Sequence, residues 1–274
     1  MPDSDVTSYL IPRIHTLAAL VTIVNLLVYA VAGFAPRALS APEISELPFV
    51  RPLAESDRDA AERVVRLLGL SLATPVHSFN ISHDSSGRLA LDFYHANGRH
   101  KVTVFPDRLH IEAARANLWK YLSTLHVTTA AFHSGDARMQ LWAWYNEFAL
   151  WMLVVMLATG GWLAVTRRWR PGAVRRTHWT AALIALPVLA IFAASAIQLA
   201  HRSWCTAGPV ARTLASLHRG RGVALPQLAA VLLVILAATG LVLWYRGRDH
   251  RLGAVLLAAG TLVSGGLLVW MRGG

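Results

Sequence analysis

Long apolar stretches alternate with short polar segments over most of the chain. About five of these stretches reach the ~20 residues that an α-helix needs to cross a bilayer core. They cover approximately 14–35, 147–166, 179–200, 224–245 and 252–271. The pattern therefore predicts a membrane all-α bundle of about five transmembrane helices, with membrane lipid around it.

The first apolar stretch has two interpretations. Residues 30–32 (AVA) resemble the cleavage site of a signal peptide. The stretch is long for a signal peptide, however, and its positively charged flank is thin. Asn25 and Tyr29 also lie on roughly the same helical face as His15, which is typical of a helix packed against partners. We therefore expect residues 1–35 to form a retained N-terminal transmembrane helix.

Residues 36–120 have a different pattern. Ser56 opens the sequence SDRDAAERVVRLLGL, in which a capping residue precedes apolar residues at helical intervals. Four alternating runs follow, VHSFNIS, RLALDFYH, HKVTVF and RLHIEA, separated by turn signals that include Asn97-Gly98. This pattern predicts an inserted small α+β domain with a helix on an antiparallel sheet. Residues 121–274 would then form a connecting helix and a four-helix transmembrane bundle.

Composition and charge orient the predicted bundle. The chain is 55% hydrophobic and 15% charged with a net charge of +11, whereas soluble domains carry about 25% charged residues. Arginines cluster after the second and fourth apolar stretches, which places both loops in the cytoplasm by the positive-inside rule; residues 201–223, with four arginines, are an exception. We expect a cytoplasmic N-terminus, with residues 36–145 and the C-terminus outside. The positive charge is then explained by the orientation of the helices in the membrane, and no nucleic-acid partner is expected.

Several kinds of chemistry are excluded. The single cysteine, Cys205, allows no internal disulfide and no cysteine-rich zinc or iron–sulfur site. The sequence also lacks the nucleotide-binding patterns GxGxxG and GxxxxGK[ST], the hydrolase elbow GxSxG and the zinc motif HExxH. A transporter is disfavoured because the apolar stretches lack paired carboxylates, and Pro187 is the one mid-span helix breaker.

Histidines at the ends of the apolar stretches form the most informative pattern. His15 and His178 open the first and third stretches at the expected cytoplasmic edge, and His126 and His218 lie near the opposite edge. Histidine is costly inside a bilayer and marks cofactor, proton or ion paths there. Because a bis-histidine haem takes one imidazole on each side of its iron, the four residues could hold two haem b groups, one near each membrane face. Two such haems would form a transmembrane electron path.

The pairing at the outer edge stays open in the sequence. His133 lies two turns after His126, on the same face if the helix continues, and could replace it; His201 could replace His218. Histidines near helix ends also serve as interfacial residues or as caps for carbonyl groups, which is the alternative interpretation of each one.

The histidines of the predicted sheet domain indicate less. His83, His95 and His100 could gather at one edge, but they have no tight metal-ligand spacing. A solvated sheet face is the expected position for them.

A faint internal repeat links the second and fourth apolar stretches, which contain LATGGWLAVTRRWR and AATGLVLWYRGR. Each copy has a Thr-Gly pair, then an aromatic residue, then arginines. Thr159-Gly160 and Thr239-Gly240 are predicted close-packing points, since small residues let transmembrane helices approach.

The motifs together resemble those of the PepSY-associated transmembrane proteins. The resemblance is carried by Arg13-Ile14-His15, YLSTLH ending at His126, LHRG at 217–220 and the two Thr-Gly segments, and it covers most of the chain. It implies a bacterial inner-membrane protein of a short branch, with a PepSY-like periplasmic domain. Some members are ferric-siderophore reductases that carry b-type haems and pass electrons outward to iron(III). The resemblance implies haem-ligand positions at His15, His126, His178 and His218.

Two functions from different classes follow from these patterns. The first is a haem-binding electron conduit whose donor is a quinol, a flavoprotein or a soluble reductant, and whose acceptor is a periplasmic ferric siderophore. The alternative is a non-enzymatic, membrane-anchored PepSY module that binds or regulates a periplasmic partner such as a protease. Five spans are more than an anchor requires, which favours the conduit.

Overall fold

The computed structural model of the chain is mostly helical and contains a small antiparallel sheet. It describes residues 3–34, 38–70, 79–128, 136–166, 172–201, 208–218, 224–247 and 250–272. In chain order the elements are α1 (Asp3–Phe34), β1 (Glu43–Pro48), α2 (Asp57–Leu67), β2 (Phe79–His83), β3 (Leu89–His95), β4 (Gly98–Val104), β5 (Arg108–Arg115), α3 (Leu118–His126), α4 (Ala137–Thr166), α5 (Ala173–Ala200), α6 (Pro209–His218), α7 (Leu225–Tyr245) and α8 (His250–Arg272).

Five helices within the described part of the chain are long and apolar enough to cross a membrane. Their candidate spans are Tyr9–Val28, Ala137–Thr166, Ala173–Ala200, Leu225–Tyr245 and Arg251–Arg272. The prediction of five apolar helices is therefore confirmed. Pro187 lies inside α5 without ending it, and α6 is a short helix within a segment for which the sequence pattern predicted only a loop.

The contacts divide the chain into two compact units. The helical unit comprises residues 1–34 and 145–268, and the sheet unit comprises residues 35–144 and 269–274.

The helical unit is held together by close backbone approaches and buried polar pairs. Helix α7 packs against α1 and α5, and α6 packs against α5. A Cβ atom at Gly260 of α8 would lie 2.5 Å from the Val21 carbonyl oxygen of α1, so only glycine fits there. Helix α1 is tied to α4 because Asn25 Nδ2 donates to Asn146 Oδ1 at 2.9 Å and Tyr145 donates to Val21 O at 2.9 Å. Asn25 is thus on a packing face of α1, as its sequence predicted, whereas the side chain of Tyr29 lies outside the described residues.

The sheet unit contains five antiparallel strands in the order β1-β5-β4-β3-β2. Strands β3 and β4 form the predicted hairpin, in which His95 pairs with Gly98. Gly98 has φ +159, and a Cβ atom there would lie 2.1 Å from the Ala114 carbonyl oxygen of β5. The Asn-Gly signal therefore marks both the turn and a close strand approach. Every residue of edge strand β1 is exposed, which explains why its sequence shows no strand alternation.

One face of the sheet is covered by α2. Ser56 caps this helix as predicted, accepting a hydrogen bond from the Asp59 amide. The core between helix and sheet consists of Phe49, Ala60, Ala61, Val64, Leu70, Leu89, Leu91, Phe93, Val102, Val104, Leu109 and Ile111. The alternation of buried residues along β3, β4 and β5 is the one that the sequence indicated.

Candidate haem-binding site

Two of the predicted histidines line one large cavity in the helical unit. The cavity has a volume of about 1110 Å³ and is lined by residues of α1, α4, α5, α7 and the start of α8. Its walls are mostly leucine, alanine and glycine, and the imidazoles of His15 and His178 both reach it. Cofactor sites commonly occupy about 300–1,000 Å³, so this cavity is large enough for an extended ligand.

Each of these histidines is held by a threonine of the internal repeat. His15 Nδ1 lies 3.0 Å from Thr159 Oγ1. His178 Nδ1 lies 2.8 Å from Thr239 Oγ1. The first contact joins α1 to α4 and the second joins α5 to α7, so each repeat copy holds a histidine of a different helix.

The threonine hydroxyls determine which imidazole nitrogen carries the proton. Thr159 donates its only hydroxyl proton to the Val155 carbonyl at 2.7 Å, and Thr239 donates to the Ile235 carbonyl at 2.6 Å. Each oxygen must then accept from a histidine Nδ1–H. We therefore assign His15 and His178 as Nδ1–H tautomers, in which Nε2 bears the lone pair needed for metal coordination.

The glycine of each repeat leaves room for the imidazole ring. A Cβ atom at Gly160 would lie 3.1 Å from His15 Cε1, and one at Gly240 would lie 3.6 Å from His178 Cε1. The first distance is tighter than ordinary van der Waals contact, whereas the second is ordinary. The two copies thus form the same histidine-holding arrangement, with a stricter requirement for glycine at position 160.

The cavity also has cationic lining residues. Arg13, Arg175 and Arg176 line it together with the two histidines, and the Arg13 guanidinium lies 4.6 Å from the centre of the Tyr9 ring. Haem b would be held here by the two imidazole Nε2 atoms at its iron, by the apolar walls at its macrocycle and by the guanidinium groups at its propionates. The residues present therefore fit the cofactor that the sequence indicated.

A third predicted ligand has the same local arrangement. His218 Nδ1 lies 2.8 Å from Ser195 Oγ, which donates to the Phe192 carbonyl at 2.9 Å. The Phe192 ring lies against the imidazole with 5.3 Å between ring centres. As at the threonines, the hydroxyl that donates to its own helix accepts from Nδ1–H. His218 is therefore also assigned as the Nδ1–H tautomer.

His201 differs because its Nε2 atom already has an acidic partner. It lies 2.7 Å from Glu147 Oε1, and the Trp151 indole donates to the same oxygen at 2.9 Å. The two histidines are thus held through different atoms, His218 through Nδ1 and His201 through Nε2.

Of the two remaining predicted ligands, only His126 lies within the described residues. His126 is the last residue of α3 and belongs to the sheet unit. Because α3 ends there, with Val127 as its C-cap, the described helix does not continue toward His133, which lies outside the described residues.

Two of the described histidines in the sheet unit contact each other. His95 Nε2 lies 2.8 Å from His100 Nδ1, whereas His83 lies beside Asp57 at 3.4 Å. The expectation of solvated positions is wrong for His95 and His100, which pair in a partly buried location. Alternation along β3 and β4 could have indicated this, since both residues continue the core-facing positions of their strands.

The hydroxyl groups that hold the histidines were not predicted as site residues. The sequence predicts Thr159-Gly160 and Thr239-Gly240 as packing points, and the structure adds the contacts with His15 and His178.

Among the described residues, no group of three or more His, Cys, Asp or Glu could hold a metal ion. Comparison of the chain with protein families, with characterised proteins and with solved structures gave no match.

Proposed function

We propose that the helical unit binds haem b between His15 and His178 and conducts electrons across the bacterial inner membrane. The observation that carries this proposal is the pair of imidazoles lining one apolar cavity, each held through Nδ1 by a threonine of the repeat. Outer-sphere hydrogen bonds of this kind orient ligand histidines and raise their basicity. When bound, haem supplies an iron that exchanges single electrons.

The chain itself orients the two imidazole rings and surrounds the cofactor with apolar side chains of low dielectric constant. The threonines hold both rings in one tautomer before any ligand binds, so little side-chain entropy is lost on coordination. Apolar walls limit the access of water to the iron, and the hydrophobic shell tunes the redox potential. The arginines of the lining provide charge-assisted hydrogen bonds to the anionic edge of the cofactor.

We further propose a second haem near the opposite membrane face. His218 supports it, because Ser195 orients its ring in the same way as the two threonines orient theirs. The sequence-based pairing of His218 with His126 stays a prediction. With the N-terminus in the cytoplasm, electrons would enter at the His15–His178 site from a quinol or a flavoprotein. They would leave for a periplasmic acceptor, and the resemblance to PepSY-associated proteins makes a ferric siderophore the acceptor that we propose.

An absorption spectrum with haem quantification tests the proposal. We expect the detergent-purified full chain to show b-type bands that sharpen on dithionite reduction, at about two haems per chain. His15→Ala and His178→Ala should each remove about one haem, and His110→Ala in the sheet unit is the matched control. A colourless protein, after expression with ample haem, would refute the conduit and favour the binding-module alternative.

The acceptor requires a separate measurement. Stopped-flow mixing of the reduced protein with a ferric hydroxamate or ferric catecholate should oxidise the haem and yield iron(II). A matched gallium(III) chelate, which cannot accept the electron under these conditions, serves as the control. Equal oxidation rates with both chelates would contradict a ferric-chelate acceptor while leaving the haem site intact.

A further inference from the structure

The sheet unit contains a second cavity, of about 440 Å³. Its polar and charged lining residues are Glu43, His95, Asn97, His100, Arg115 and Arg272. They come from strands β1, β3, β4 and β5, from the turn between β3 and β4, and from the C-terminal end of α8.

The cavity lies where the helix over the sheet ends. His95 follows the buried Phe93 by two positions and His100 precedes the buried Val102 by two, so both imidazoles lie on the face that α2 covers. Gly69, just after α2, adopts φ +63 and also lines the cavity. The covered face of the sheet therefore changes from apolar to polar side chains beyond the helix.

The charges of the lining favour an anion. Arg115 and Arg272 form no ion pair with any described carboxylate, and Glu43 is the one acidic residue of the lining. Arg272 is held in place because it donates to the Ala116 carbonyl at 2.8 Å and lies 5.0 Å from the centre of the Tyr121 ring. Two guanidinium groups lining one cavity repel each other, and a bound anion removes that repulsion.

The neutral groups of the lining supply further hydrogen bonds. Burial, followed by the charge of His100, lowers the pKa of His95 to about 4, and burial lowers the pKa of His100. The hydrogen-bonded pair is therefore uncharged near pH 7. Asn97 Nδ2 donates to the Met271 carbonyl at 2.9 Å, but its buried Oδ1 atom has no hydrogen-bond partner in the described part of the chain. A buried acceptor of this kind requires a donor from a ligand or from water.

We infer that this cavity binds a small carboxylate that also carries a hydroxyl or amino group. The guanidinium groups of Arg115 and Arg272 match the geometry of a carboxylate, and Asn97 Oδ1 accepts from the hydroxyl or amino group. The inference rests on the sheet unit alone and is independent of haem binding.

Isothermal titration of the full chain in detergent at pH 7 tests this inference with L-malate and succinate, which differ by one hydroxyl group. We expect malate to bind several-fold more tightly, because only malate satisfies Asn97 Oδ1. Arg115→Gln should weaken malate binding by about tenfold or more. Arg66→Gln, which removes an equal charge from the exposed end of α2 outside the cavity, is the matched control and should leave binding unchanged.

Three results would overturn the inference. They are the absence of malate binding, an equal loss in the two arginine variants, and binding of inorganic phosphate as tight as that of malate. The haem spectrum of the same samples reports separately on the helical unit, so failure of one proposal does not imply failure of the other.

Discussion

Replacing the threonines of the repeat by valine tests how the histidines are held. Thr159→Val and Thr239→Val keep the side-chain shape but remove the acceptor of the Nδ1–H groups, which lie 3.0 and 2.8 Å away. An imidazole N–H left without a partner in an apolar site costs about 1–3 kcal/mol, which corresponds to about 5- to 150-fold in an equilibrium constant. Outer-sphere substitutions at metal sites lower metal affinity by about 10- to 100-fold. We therefore expect each variant to bind haem about tenfold or more weakly.

The assay is titration of haem into the haem-free full chain, with the midpoint potential measured on the loaded protein. Loss of the hydrogen bond makes the ligand less basic, so the potential should also shift. Thr159→Ser and Thr239→Ser keep the hydroxyl and should restore both values. Thr261→Val is the matched control, since Thr261 is exposed on α8 and donates only to its own helix. Wild-type affinity and potential in both valine variants would refute the proposed role of the hydroxyls.

Two further predictions follow from distances and burial. Gly160→Ala should weaken haem binding and broaden the spectrum, because its Cβ would lie 3.1 Å from His15 Cε1. Gly240→Ala should change little, because its Cβ would lie at an ordinary 3.6 Å from His178 Cε1. Equal effects of the two variants in the haem titration would contradict this contrast. Because burial holds the pKa of His95 at about 4 against 6.5 when exposed, the unfolded chain takes up this proton first as the pH falls. The contribution of His95 to stability is therefore complete above pH 6.5 and is lost progressively toward pH 4, by at most about 3 kcal/mol. Hydrogen exchange of the β3 and β4 amides should show this loss in the wild type and a smaller loss in His95→Gln, and the same loss in both would contradict the prediction.

Much of the fold could be predicted from the sequence because two strong periodicities carry it. The apolar stretches identify the five long helices, and the alternation around Phe93 and Val102 identifies the central strands. The Asn97-Gly98 signal located the hairpin. Strand β1 could not be predicted because all of its residues are exposed, so its position depends on pairing with β5 and not on a buried face.

The candidate site could be proposed from the sequence only in part. The positions of His15 and His178 at the ends of apolar stretches make them candidates, but these positions contain no information about which side chains hold them. The contacts with Thr159 and Thr239 depend on the packing of four helices, and a hydroxyl that bonds to its own helix has no sequence signature distinct from a packing threonine. The contact between His95 and His100 likewise could not be predicted from the sequence, because it depends on where α2 stops covering the sheet.

The pairing of each histidine with its own Thr-Gly segment has a consequence for the comparison of distant sequences. The partners are 144 residues apart for His15 and 61 residues apart for His178, so neither pair can be recognised as a local motif. If the hydroxyl serves the imidazole, the two positions should vary together among related chains. A chain that has lost the first histidine should be free to lose Thr159 and Gly160, while retaining the second pair. Such linked substitutions would be detectable even where apolar helices align poorly.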